Sequence, residues 1–134
     1  MAIAILIATV VWFVAAFALF FNPVVDKIYS SQEGHPSVRA LPKSPPTIVK
    51  ILAAIVVQCT LWAIVFTWIK AALPVDLVSR GVLFGTILSF TKLIPRDIDR
   101  MLLTTYPAKR LTIEFVIGVV CAYIVAFVFA YRMP

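Results

Sequence analysis

Residues that carry chemistry are scarce in this chain. Its 134 positions hold one histidine, two cysteines, four glycines and six acidic residues, and charged residues of both signs make up only 13%. Each shortage closes a class of function. One histidine and two distant cysteines, Cys59 and Cys121, offer no ligand set with the spacing of a metal site. The four glycines form no loop of the kind that cradles a nucleotide's phosphates, and no nucleophile stands beside a base. No cofactor is implied. Cys59 and Cys121 fall at similar depth in two apolar runs, where buried thiols act as small hydrophobes; a bridge between them would require those two helices to touch. The shortage of charge also excludes a water-facing globule, whose residues are about a quarter charged.

What is abundant is apolar. The chain is 63% hydrophobic with a mean hydropathy of +1.04. The excess sits in four runs, about 2–21, 48–69, 75–94 and 111–131. At about 1.5 Å per residue each can cross a hydrocarbon core of about 30 Å as a helix, which satisfies its own backbone polar groups there. The fold class is therefore an all-α integral membrane protein, a single four-span domain over 1–134 with short interfacial helices in its loops. The first run has no Lys or Arg before it and is followed by Asn22 and Pro23 instead of a small-residue cleavage site, so it reads as a retained helix.

The loops set an orientation. Lys27, Arg39, Lys43, Lys50, Lys92, Arg96, Arg100, Lys109 and Arg110, nine of the twelve basic residues, follow the first and third spans. The positive-inside rule puts those loops in the cytoplasm, both termini outside, and the whole in a membrane such as a bacterial plasma membrane. The net charge of +6 is met by anionic lipid head groups, so membrane lipids are the expected partners and nucleic acid is not.

Several positions stand out within this frame. Gln58 lies mid-span beside Cys59 and Thr60, and its amide is costly in hydrocarbon unless it faces another helix. Gly81, Gly85 and Ser89 repeat every four residues in the third span, and Gly118, Ala122, Ala126 and Ala130 do so in the fourth. Two such smooth stripes on consecutive antiparallel helices predict close packing against each other. The short turn "KAALPVD" predicts that the second and third helices are antiparallel neighbours. Arg80 stands four residues after Asp76, spacing that allows a same-face ion pair or a snorkelling arginine. Glu114, the one acid well inside a span, stands one turn past Arg110 and is expected to pair with it. Asn22 and Pro23 open a short amphipathic helix over Val24–Tyr29. Pro95 opens a second helix that closes before Pro107, with Arg96, Arg100, Lys109 and Arg110 placed for lipid head groups.

Three functions fit these residues. The first is a non-enzymatic membrane protein that works as a homo-oligomer or as a subunit of a larger membrane complex. The second is an oligomeric channel or transporter for a small solute or ion, lined by Gln58, Thr86, Ser89 and Glu114. The third is a membrane-surface enzyme acting on lipids through Asp26, Glu33, His35 and Arg39, although these are also what any solvated loop contains. No residue is assigned as catalytic. In its order of spans, and in the segments "FALFFNPVVDK", "RGVLFGTILSFTKLIP" and "YPAKRLTIEFVIG", the chain resembles a family of small four-helix bacterial membrane proteins known as a domain of unknown function. Phe20 and Phe21 replace that family's usual Trp-Tyr pair, and Glu114 replaces a smaller polar residue. The resemblance implies the four-span fold and no activity.

Overall fold

A computed structural model of the protein describes residues 1–38 and 44–133. Its helices are α1 (Ala2–Phe20), α2 (Pro23–Ser30), α3 (Pro45–Ile69), α4 (Leu77–Leu88), α5 (Ile94–Leu103) and α6 (Ala108–Arg132), with a 3-10 turn over Lys70–Ala72. There is no strand among the described residues. Local chemistry sets the starts. Asn22 caps α2 by accepting from Val24 N at 2.9 Å, with Pro23 at the first helical position. Asp76 caps α4 by accepting from Ser79 N at 2.8 Å, and these hydrogen bonds hold its carboxyl below the usual carboxylate range. Of the two arrangements the spacing allows for Arg80, the ion pair with Asp76 does not form; the Arg80 Nε donates to Pro74 O at 2.8 Å.

Four stretches are long and apolar enough to span a membrane: Ala2–Phe20, Pro45–Ala72, Leu77–Leu103 and Ala108–Arg132. The third differs from its predicted form. No break separates it from the helix after Pro95, because a single π turn, Ser89–Leu93, joins α4 to α5. Pro95 has no N–H, and its ring crowds the carbonyl one turn earlier. Widening the helix by one residue relieves that clash, and the Ile94 N–H bonds back to Ser89 O.

The bundle is organised around α6. Helices α4 and α1 pack on α6, and α3 packs on α1. The second and third spans, expected as close neighbours, meet through side chains: the Phe66 and Phe84 rings are 4.9 Å apart and edge-on, with Phe129 of α6 completing the trio. All three rings are fully buried. Along the α4–α6 seam the arrangement is ring on glycine. A Cβ at Gly81 would lie 2.6 Å from the Phe127 ring, one at Gly85 2.5 Å from the Tyr123 ring, and one at Gly118 3.0 Å from Leu93. The two small stripes therefore do not face each other. Tyr123 and Phe127 follow Ala122 and Ala126 by one residue, about 100° round the helix, and it is their face that meets the glycines. Ala122, Ala126 and Ala130 are buried in the core, as are Ala4 and Ala8 of α1.

Ring contacts fix the sense of the bundle. Phe66 late in α3, Phe84 in the first third of the Leu77–Leu103 span and Phe129 late in α6 meet toward the end where α1 begins and α6 finishes. Tyr29, after α1, meets Glu114, early in α6, at the opposite end. That opposite end also carries α2, α5 and most of the basic residues, and is the basic end of the bundle.

Candidate functional site

Polar side chains converge at the basic end. Glu114 projects from the second turn of α6 with its side chain 19% exposed, and three donors from three segments reach it. Its Oε1 accepts from Tyr29 OH of α2 at 3.1 Å and from Tyr106 OH of the α5–α6 link; its Oε2 accepts from Arg100 Nη1 of α5 at 2.6 Å. Two cations stack on the same phenols: the Arg110 guanidinium lies 4.0 Å from the Tyr29 ring centre and that of Arg100 5.3 Å from the Tyr106 ring centre. The Phe20 ring meets Tyr29 edge-on at 5.6 Å and steadies it from α1. A Ser37–Thr105 hydroxyl contact joins the two links at this end.

This knot is a latch. One carboxylate ties α2, α5 and the α5–α6 link to α6 with charge-assisted hydrogen bonds, roughly twice as strong as neutral ones. With three of its roughly four lone-pair sites taken, Glu114 is poorly placed to pass a proton along. It does not pair with Arg110, as local spacing predicts: the Arg110 guanidinium stacks on the Tyr29 ring, with Nε and Nη1 buried and making no hydrogen bond among the described residues, while Arg100 reaches the carboxylate from α5.

Burial first, then the hydrogen bond to Glu114, pushes the Tyr106 phenol up to about 12, and burial with the Glu114 charge raises Tyr29 further still. Both therefore remain protonated donors through neutral pH. A raised phenol favours the folded state below its unfolded value near 10, and that contribution is lost as pH rises through the folded value. The Tyr106 contribution is thus expected to persist to about pH 10 and vanish by about pH 12. A phenolate absorbance titration should show one tyrosine ionising near 12 that is missing from Tyr106→Phe; a difference spectrum centred near 10 would refute the placement.

The other predicted residues are dispersed. Thr86 Oγ1 donates to Val82 O at 2.9 Å and contacts Tyr123 OH at 2.8 Å, while Ser89 Oγ donates to Gly85 O at 2.8 Å. Gln58 sits on α3, half-exposed, and makes no hydrogen bond among the described residues. The four proposed lining residues, Gln58, Thr86, Ser89 and Glu114, thus form no single path within one chain. Of the head-group candidates, Arg96 pairs with Asp97, Arg100 and Arg110 belong to the latch, and Lys109 is exposed. In the first loop Asp26 and Glu33 are exposed, His35 Nδ1 accepts from Ser37 N at 3.3 Å, and Arg39 lies outside the described residues. Cys59 and Cys121 are free and fully buried, and no metal-binding cluster occurs among the described residues.

Sequence reasoning missed the two tyrosines, whose link to Glu114 spans 85 positions for Tyr29. It also missed Lys92. The Lys92 Nζ lies 4.7 Å from the Trp62 ring centre and 5.4 Å from that of Trp12, two rings stacked 5.0 Å apart across α3 and α1. A basic residue inside an apolar span with tryptophans in two others is the signal that could have suggested a cation–π contact.

Fold and site together define a small all-α integral membrane protein of four transmembrane helices. Comparison with protein families, with curated proteins and with solved structures returns no match to this chain.

Proposed function

We propose that the protein is a non-catalytic membrane subunit that acts through association with other transmembrane helices, in a homo-oligomer or a larger complex. The observation that carries this reading is Gln58. It stands at mid-depth on α3, the helix at the edge of the bundle, flanked on its outer side by exposed Val57 and Leu61. Its amide has two donors and an acceptor with no partner among the described residues, and hydrocarbon supplies none. A helix docked on this face satisfies it, and an interhelical hydrogen bond is worth about 0.5–2 kcal/mol. Basic loops in the cytoplasm, termini outside and a bacterial plasma membrane belong to the same proposal, as does the resemblance to the small four-helix family.

The test is the native mass of the full chain, extracted gently with its lipids. The wild type is expected above the 14.9 kDa of one chain. Gln58→Leu should weaken association about 3- to 30-fold while leaving thermal unfolding of the bundle unchanged. A wild type that runs as a single chain, or a variant that assembles as tightly as the parent, would reject the reading. Co-migrating polypeptides would identify a mixed complex. Flux in liposomes that depends on Gln58 would move the assembly to the conduit class.

A further inference from the structure

A groove of about 290 Å³ runs between α5 and the first turns of α6, walled by Ile94, Ile98, Met101, Leu111 and Phe115, with Asp97 also in its wall. Asp97 is the one acid buried there, 9% exposed. Its Oδ1 accepts from Arg96 Nε at 2.6 Å. Its Oδ2 is buried without a hydrogen bond among the described residues, and Arg96 Nη2 is in the same state. One ion pair thus holds a buried acceptor and a buried donor that its own contact leaves unmatched, Asp97 in the wall of the apolar trough and Arg96 next to it in the chain, each carrying the penalty of a desolvated polar group.

The surroundings say what could satisfy both. The groove lies at the basic end of a membrane-spanning helix, and beyond it α5 exposes Leu102 and Leu103, the pattern of a helix bedded at the boundary of acyl chains and head groups. An occupant arriving from that boundary brings an apolar tail. An acceptor for Arg96 and a donor for Asp97 would complete the pair, and a zwitterionic head group offers both as charge-assisted hydrogen bonds while adding no net charge. We propose that the groove binds a phospholipid with a protonated amino head group. Its chain lies along Ile98 and Phe115, its phosphate accepts from Arg96 Nη2, and its ammonium donates to Asp97 Oδ2. This site is independent of the α3 face and does not rest on the subunit reading.

Phosphatidylethanolamine and phosphatidylcholine with identical chains provide the test, since they share the phosphate and differ in whether the head-group nitrogen has a hydrogen to donate. The full chain is placed in nanodiscs holding equal amounts of the two, released gently, and its retained lipids counted by native mass spectrometry. Phosphatidylethanolamine is expected to be retained about tenfold over phosphatidylcholine, the effect of one charge-assisted hydrogen bond. Retention in the bulk ratio would overturn the proposal and mean that Arg96 and Asp97 close on each other as a two-point pair. Asp97→Asn should bring retention to the bulk ratio. Because that change also loosens the Arg96 contact, Ile98→Trp provides a second arm that fills the trough and leaves the pair in place; it should release the retained lipid, and undiminished retention would overturn the proposal. A third arm offers phosphatidylglycerol, which has hydroxyl donors and no cation. Preference for it over phosphatidylethanolamine would assign the binding to the basic cluster and overturn the role of Asp97.

Discussion

Gly85→Leu is expected to prevent the third and fourth spans from closing on each other. The first carbon added at position 85 already falls 2.5 Å from the Tyr123 ring, and three more follow it. Tyr123 cannot swing aside cheaply, because its hydroxyl is held by Thr86 and α4 and α6 flank the ring closely. Overpacking of a well-filled core costs typically 1–3 kcal/mol, and a four-carbon insertion against an aromatic ring belongs at or beyond the top of that range, about 3 kcal/mol. Thermal unfolding in mild detergent measures it. The double variant Gly85→Leu with Tyr123→Ala should regain a large part of the loss, since it removes the ring that the leucine strikes. A Gly85→Leu protein as stable as the parent would mean that the ring is not seated on the glycine.

That seam also shows where sequence reading reaches its limit. Repeats of small residues every four positions announce that something approaches closely, and in Gly81, Gly85 and Gly118 it does. They do not say what approaches. The alanines of α6 form an equally regular stripe, but a rotation of one residue puts Tyr123 and Phe127 on the seam and sends Ala122 and Ala126 to the core. Hydropathy located all four spans because each must satisfy its backbone in hydrocarbon, a requirement written locally along the chain. The π turn at Ser89–Leu93 was hidden for the opposite reason. Pro95 signals a helix start or a kink, and only the packing of Leu93 against Gly118 on one side and Lys92 against Trp62 on the other favours a widened turn over a break. Glu114 was conspicuous as an acid inside a span, yet its partners are tyrosines and an arginine contributed by segments that periodicity alone cannot bring together.

Removing that acid should have the second large effect. Glu114→Leu leaves two phenols without an acceptor and the Arg100 guanidinium without its counter-charge, while Arg110 stays close by on the Tyr29 ring. Breaking a fully buried ion pair by deleting one partner costs about 3–5 kcal/mol; with side chains here 19% and 39% exposed, solvent offsets part of that, and about 2–3 kcal/mol is expected. Glu114→Gln keeps an acceptor oxygen for the phenols and should lose about half as much. The loss should also be local. Amide hydrogen exchange is expected to accelerate across Pro23–Ser30 and Ile94–Leu103, the two helices the latch holds, while Phe66, Phe84 and Phe129 keep the far end of the bundle protected. A proton-relay role predicts the reverse pattern, with Glu114→Gln abolishing ion flux while stability and exchange stay at parental values. The three donors already held by Glu114 favour the latch. Both of its oxygens already accept, from two phenols and a guanidinium, so a proton delivered there would have to displace one of the contacts that fasten α2 and α5 to the bundle.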